Sequence, residues 1–348
     1  MKILLVAAKT GGHVYPAAAV ANLLIEKNHE VVLLGIHSDI EKNAYKNIKA
    51  EHLKLSMEGF RGVNFIKKLK VFFQIIFNTF KVLKIINKKK IDAMIGFGGF
   101  ITIPAGIASL ISLKPIFLHE QNAVLGSANK ILSKFSKINF LGFPINNIKN
   151  SIYSGNPIRK SFINIKNSSK IDNSIIKIYI TGGSQGSKYI NQNLPQVFKN
   201  FHKNVSVRHQ CGKNNLDTVR SAYSPLKIDV DIKEFYDSPE IQILWSDFVI
   251  TRAGALTLSE ICTLKRGSII IPLPTSIDNH QLENAKSIQT NGLGVIHEEK
   301  DSLEELKRKI ISIIDKKIYQ KWKKDTYEIH LNSTKIIVEK IIEFIERQ

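Results

Sequence analysis

Short apolar runs alternate with longer amphipathic stretches along the chain, and the alternation starts twice. In the first half the runs Ile3–Ala8, Val31–Leu34, Asp92–Ile95, Pro115–His119 and Ile138–Leu141 read as buried strands. Helix patterns lie between them, with Pro16–Lys27 and Pro104–Ser112 the clearest. Both open with proline, whose missing N–H costs nothing at the first helical position. Parallel strands need long crossovers, so this alternation dictates a parallel sheet covered by helices on both faces. A turn-rich break, Ser154-Gly155-Asn156-Pro157, and a polar stretch from Asn164 to Ser174 then interrupt the pattern. It restarts at Ile175–Thr181 and continues through Val205–Gln210, Ile228–Phe235, Phe248–Thr251, Ser268–Ile271 and Leu293–Ile296. Asp301-Ser302-Leu303-Glu304 reads as a capping box opening a helix. Ser333–Ile345 reads as an amphipathic helix with Ile336, Ile337, Ile341 and Ile345 near one stripe. Two doubly wound α/β domains are expected, with the carboxyl ends of their strands facing across a cleft.

A chain of 348 residues has room for two cores, and 43% apolar content suits a globular protein. Formal net charge is +20. That balance points to an anionic partner, whether nucleic acid, acidic lipid or phosphorylated substrate. It is equally what a composition rich in Ile, Lys and Asn produces by itself. Cys211 and Cys262 stand alone, without a CxxC pair or a His/Cys cluster at metal spacing, which fits a reduced cytoplasm. No uninterrupted apolar stretch is long enough for a transmembrane helix, and the N-terminal run reads as a strand rather than a signal.

Each half opens with strand, glycine-rich loop and helix. Thr10-Gly11-Gly12-His13 follows the first strand, and Gly182-Gly183-Ser184-Gln185-Gly186-Ser187 follows Thr181. Neither has dinucleotide or P-loop spacing. Such loops let the backbone approach a ligand, and the helix start beyond offers N–H groups and positive charge. Either is also compatible with a plain tight turn, as is the third loop, Gly96-Phe97-Gly98-Gly99-Phe100. The strongest constellation is Thr251-Arg252-Ala253-Gly254-Ala255-Leu256-Thr257-Leu258-Ser259-Glu260. A helix starting near Ala255 would aim amides at a pyrophosphate, and Glu260, about one turn on, could accept from both ribose hydroxyls. Gln281 and Asn284, past the next strand, suit sugar hydroxyls. Leu118-His119-Glu120-Gln121-Asn122 ends a strand with polar groups that serve either an acceptor sugar or buried capping.

Asp229-Val230-Asp231 has the form of a metal-binding DxD. It alternates with Ile228, Val230 and Ile232, and so reads as a half-buried strand with a solvated face instead. Lys67–Lys90 interleaves Phe72, Phe73, Ile75, Ile76, Phe77, Phe80 and Val82 with flanking lysines. An acidic membrane surface, nucleic acid and a core-facing helix stripe would each use such a segment. It is more apolar than one core stripe absorbs.

The Thr10-Gly11-Gly12-His13-Val14-Tyr15-Pro16-Ala17 run, the Gly96–Phe100 loop, Leu118–Asn122, Gly155-Asn156-Pro157-Ile158-Arg159, Gly182–Ser187, Arg252–Glu260 and Asp278–Ala285 resemble, in this order, the MurG family. Its members are UDP-N-acetylglucosamine–N-acetylmuramyl-(pentapeptide) pyrophosphoryl-undecaprenol N-acetylglucosamine transferases. The resemblance implies a GT-B fold of two Rossmann-like domains. Residues 1–155 would form the acceptor- and membrane-facing domain, joined by a helix at about 333–348, and residues 156–332 the UDP-sugar donor domain. It implies inverting transfer from UDP-N-acetylglucosamine to a lipid-linked muramyl-peptide, with no cofactor, metal or nucleic acid. The enzyme would be peripheral on the cytoplasmic face of the inner membrane, held through Lys67–Lys90. By the same likeness His13 is the candidate base; Glu120, in the Leu118–Asn122 run, reads as a second candidate. Thr10, Gly11, Gly12 and Asn122 match sugar-contacting positions. Ser184 would contact phosphate, Arg159 and the backbone near Tyr236 would lie by the nucleotide, and Ala255, Leu256, Thr257, Leu258, Ser259 and Glu260 would hold pyrophosphate and ribose. Gln281 would touch the donor sugar. Ala8-Lys9 stands where the family usually has two further glycines. The rival readings are a UDP-N-acetylglucosamine 2-epimerase and a non-catalytic basic module for membrane or nucleic acid.

Overall fold

The computed structural model describes residues 1–8, 10–57, 65–165, 175–324 and 327–347. Lys9, most of the polar stretch after Asn164, and the side chains of residues 65–68 lie outside the described residues. The chain divides into two compact units. The first is Met1–Arg159 with Ile329–Gln348, and the second is Lys160–Glu328.

The first unit carries strands β1 (Lys2–Val6), β2 (Glu30–Gly35), β3 (Glu51–Lys54), β4 (Ala93–Gly96), β5 (Ile116–Glu120), β6 (Ile138–Leu141) and β7 (Ser151–Tyr153). They pair in parallel in the order β3-β2-β1-β4-β5-β6-β7. Its helices are α1 (Gly11–Glu26), α2 (Asp39–Tyr45), α3 (Phe65–Lys89), α4 (Thr102–Ile111) and α5 (Ser127–Leu132). The second unit carries α6 (Lys160–Ile163), α7 (Lys188–Val197), α8 (Leu216–Tyr223), α9 (Pro239–Trp245), α10 (Ala255–Thr263), α11 (His280–Thr290), α12 (Leu303–Asp315) and α13 (Ile318–Lys324). Its strands are β8 (Ile176–Thr181), β9 (Val205–Gln210), β10 (Asp229–Lys233), β11 (Phe248–Thr251), β12 (Gly267–Ile270) and β13 (Gly294–Ile296), parallel in the order β10-β9-β8-β11-β12-β13. The last helix, α14 (Ile329–Glu346), belongs to the first unit. Both units therefore have Rossmann-like parallel sheets, the α/β class that the alternation dictated.

Side-chain alternation along β1 feeds two cores. Ile3 and Leu5 pack with α1 and with Ile337, Val338 and Ile341 of α14. Leu4 and Val6 pack on the other face with Val82, Ile86 and Ala105. All of these side chains are buried, each contributing about 1.5–3 kcal/mol for the larger ones. The strands β3 and β7 escaped the sequence pattern because both are short edge strands with exposed polar ends. The capping box is displaced by one residue: Ser302 is the N-cap and accepts from the Glu305 N–H, with Leu303 opening the helix.

Both passages of the chain between units are anchored in the first. Gly155 has φ +74, and a β-carbon there would stand 2.7 Å from the Ile329 carbonyl oxygen. The Gly155 carbonyl accepts from His119 Nε2 at 3.1 Å and Ser333 Oγ at 2.8 Å. The Asn156 N–H donates to His330 Nδ1 at 2.8 Å. Burial pulls the imidazole of His119 down to about 4 and that of His330 down to about 3. His209, held in the second unit by Asn191 and Tyr223, is likewise lowered to about 3 by burial. In the unfolded chain these rings take up a proton below about pH 6.5, which the native state refuses. Stability is therefore full above that pH and falls as pH drops toward the folded values. We predict a falling unfolding midpoint between pH 6.5 and 5. His330→Asn, which keeps an acceptor for Asn156, should reduce the slope by one proton's worth, about 1.4 kcal/mol per pH unit. An unchanged slope in denaturant melts at several pH values would refute this.

Candidate active site

The order of the first sheet reverses between β1 and β4, the place where open parallel sheets bind ligands beyond their strand ends. Helix α1 begins at Gly11, five residues before the proline expected to start it. Thr10 is its extended N-cap, so the glycine run is not a loop but a cap and first turn. Pro16 sits inside the helix, where it removes one ladder bond. The Thr10 hydroxyl makes no cap bond and lies instead 3.2 Å from His13 Nδ1. First-turn amides at Gly11 and Gly12 stand outside the helical ladder.

His13 Nδ1 is 3.2 Å from the Ala8 carbonyl oxygen. A carbonyl only accepts, so the network assigns the proton to Nδ1 and the lone pair to Nε2. The Gly98–Gly99 turn beyond β4 lies against the ring. Both residues have positive φ, +92 and +83, and a β-carbon on Gly98 would stand 3.2 Å from Nε2. Only glycine supplies that backbone and that clearance. The Tyr15 ring covers Gly11, 3.1 Å from where a β-carbon on that glycine would stand, and Arg159 stacks on the same ring at 5.2 Å.

Of the polar run ending β5, His119, Glu120 and Gln121 are buried. Glu120 Oε2 accepts from Gly126 N at 2.8 Å and Asn129 Nδ2 at 2.9 Å. Its Oε1 accepts from the N–H and Nδ2 of Asn122, each at 3.2 Å. Four accepted bonds make this carboxylate the organiser of the loop from Asn122 to Gly126. Asn122 itself is half-buried beside it.

In the second unit the order reverses between β8 and β11. Ser184 is exposed at the tip of the loop after β8. Gly183 has φ +83 and open space around it, whereas a β-carbon on Gly186 would stand 2.3 Å from the Cys211 carbonyl oxygen. Gly186 is thus a packing requirement, whereas Gly183 faces open space. Ser187 caps α7 by accepting from the Ile190 N–H, so that helix start partly satisfies itself. At α10 the cap is Gly254, which has no side chain to compete. The first-turn amides of Ala255, Leu256 and Thr257 lie outside the helical ladder. Further along α10, Leu258, Ser259 and Glu260 are buried, so Glu260 is no ordinary surface carboxylate.

Gln281 Oε1 accepts from Ala253 N at 3.2 Å and Leu273 N at 3.0 Å, tying the loops after β11 and β12 and leaving its amide as a donor. Asn284 donates to the Ala253 carbonyl at 3.0 Å. Arg252 turns inward to the carbonyls of Ile271 and Pro272 and pairs with Glu299 at 2.6 Å. The sequence reading missed Gln210. Its Oε1 accepts from the Tyr236 N–H at 3.2 Å, and its Nε2 donates to the Gly183 carbonyl at 3.1 Å. The only sequence trace of this role is a polar residue at the end of a buried strand. Tyr236 is buried, its hydroxyl donating to Asp231. Asp229 and Asp231 alternate outward along β10. His297, Asp301 and Glu305 cluster with donor atoms within 4.8 Å. The ammonium of Lys309 lies 2.6 Å from Glu305 and 3.7 Å from Asp301.

On α3, Val71, Val82 and Ile86 are buried, while Phe72, Phe73, Phe77 and Phe80 are 54–62% exposed. Lys81 lies over the Phe77 ring. Among the described residues no helix is long and apolar enough to cross a membrane.

Residues 3–140 match the glycosyltransferase family 28 N-terminal domain, and residues 177–339 the family 28 C-terminal domain. A UDP-N-acetylglucosamine–N-acetylmuramyl-(pentapeptide) pyrophosphoryl-undecaprenol N-acetylglucosamine transferase of Vesicomyosocius okutanii is 37% identical over 317 residues, 90% of this chain and 89% of the relative. The crystal structure of Acinetobacter baumannii MurG superposes with a TM-score of 0.83 at 28% identity, covering 98% of this chain and 99% of that one. A UDP-GlcNAc 2-epimerase from Neisseria meningitidis reaches a TM-score of 0.69 at 16% identity, covering 99% and 100%, a likeness of fold alone. Matched by the family's models in both halves and by such a relative along nine-tenths of its length, the chain belongs to the MurG family of glycosyltransferases.

Proposed function

We propose that this chain transfers N-acetylglucosamine from UDP-N-acetylglucosamine to the undecaprenyl-pyrophosphoryl muramyl-pentapeptide, the lipid I to lipid II step of peptidoglycan synthesis. The observation that carries this reading is the 37% identity over 317 residues to a relative named for that activity. The first unit would take the acceptor and the second the donor.

In the proposed reaction a muramyl hydroxyl oxygen attacks the anomeric carbon from the face opposite UDP. The new glycosidic bond forms as the bond to the diphosphate oxygen breaks, and UDP leaves with that electron pair. The hydroxyl proton passes to His13 Nε2, the nitrogen that carries the lone pair when Nδ1 donates to Ala8. Glu120, engaged by four donors, acts by holding Asn122 toward the acceptor sugar rather than by taking the proton. The α10 amides from Ala255 to Thr257 receive the pyrophosphate, Ser184 adds a hydroxyl, and Glu260 reads the ribose. Gln281 donates its amide to the donor sugar. Arg159 and the backbone near Tyr236 border the nucleotide.

His13→Ala should lower turnover by about 10²–10⁴-fold while UDP binding stays intact, measured as UDP release with a lipid-pyrophosphoryl muramyl acceptor. Near-normal turnover would remove His13 from the role.

The exposed aromatic stripe of α3 and its lysines fit peripheral docking on the acidic cytoplasmic leaflet, where the lipid acceptor resides. Double replacement of Phe73 and Phe77 by serine should abolish sedimentation with anionic vesicles and leave UDP binding unchanged. Wild-type protein that ignores such vesicles would refute the docking.

A further inference from the structure

Thr102 opens α4, three residues past Gly99, with its side chain wholly buried. Its hydroxyl donates to the Gly98 carbonyl at 2.8 Å, and its N–H donates to the Gly99 carbonyl at 3.2 Å. One residue therefore holds both peptide oxygens of the glycine turn. Its methyl carbon lies 2.5 Å from where a β-carbon on Gly96 would stand, so the side chain is wedged over the end of β4.

That turn needs an external hold. Glycine has the widest choice of backbone angles, so at φ +92 and +83 the sequence of Gly98 and Gly99 does not by itself fix the turn's depth. A helical Thr hydroxyl commonly bonds a carbonyl four residues back, usually one inside the helix. Here the acceptor lies outside the helix, on the residue whose Cβ position is 3.2 Å from His13 Nε2. Thr10 and Ala8 tie the imidazole at Nδ1, and of the glycine turn Gly98 bears on its Nε2 side while Gly99 lies toward Nδ1.

We propose, resting on the assignment of His13 as the base, that Thr102 is a positioning residue for the transfer. Its hydroxyl clamps the Gly98–Gly99 turn at the depth that aims Nε2 at the acceptor hydroxyl. Proton transfer requires hydrogen-bond reach of about 2.6–3.2 Å. A displacement of about 1 Å can cost on the order of a hundredfold in rate.

The test is steady-state kinetics with UDP-N-acetylglucosamine and a lipid-pyrophosphoryl muramyl-pentapeptide. Thr102→Val keeps the shape and removes the hydroxyl. It should lower kcat by about 10–100-fold, with donor KM within about twofold, and displace the acid limb of the pH–rate profile. Thr102→Ser, which retains the hydroxyl, should restore most of kcat. In a His13→Ala background, Thr102→Val should add no further loss, because its effect runs through the imidazole. Unchanged kcat in Thr102→Val, or an equal loss with and without His13, overturns the proposal. Should Thr102→Val fail to fold, Gly98→Ala presses the same turn from the ring side, and retained kcat there overturns it equally. Wild-type enzyme that binds UDP yet releases none from the donor with acceptor present would instead sink the transferase reading, and this assignment with it.

Discussion

An all-parallel sheet puts the carboxyl ends of every strand on one edge, and each connection must return over a face as a helix. Helices therefore start at that same edge, with first-turn amides exposed. Both units of this chain obey the constraint, and most of the residues proposed for chemistry follow the carboxyl end of a strand. Thr10 to His13 follow β1, the glycine turn follows β4, and Glu120 ends β5. In the second unit Ser184 follows β8, Ala255 begins the helix after β11, and Gln281 follows β12.

How those helix starts are capped separates their roles. Ser187 meets one amide of α7 with its own hydroxyl, while Gly254 leaves the start of α10 open. At α1 the capping hydroxyl is diverted to the imidazole that follows it. The same logic of commitment sorts the polar side chains. Glu120, Arg252 and His119 each bond to several protein groups in the loops and crossings around them. Gln281 has only its carbonyl oxygen taken up, so it holds two loops and still presents a donor.

The two crossings between units show a related economy of position. A single carbonyl, that of Gly155, gathers His119 from β5 and Ser333 from α14. The histidines there are neutral because burial leaves no water to solvate a charge. The last helix completes the first core with Ile337, Val338 and Ile341, so distant ends of the sequence share one hydrophobic cluster.

The strand-helix alternation, the double start and the glycine-rich places where strands give way to helices are all legible in the order of residues alone. Those are local matters of periodicity and of backbone freedom, readable in a short window. Helix bounds at Pro16 and the short edge strands were less legible, because a cap and a neighbouring strand decide them. Whether a polar residue meets ligand or protein was not legible at all. Glu120 reads as a candidate for chemistry and Arg252 as part of a ligand loop; the fold gives Glu120 donors from the loop just beyond it and gives Arg252 carbonyls some twenty residues on. Gln210 gave no sign, since it reaches a carbonyl distant in the chain, and Thr102 gave none because only the fold sets the nearby Gly98 turn against His13. Only tertiary structure decides that, because a hydrogen bond is spent on whichever partner folding brings within about 3 Å.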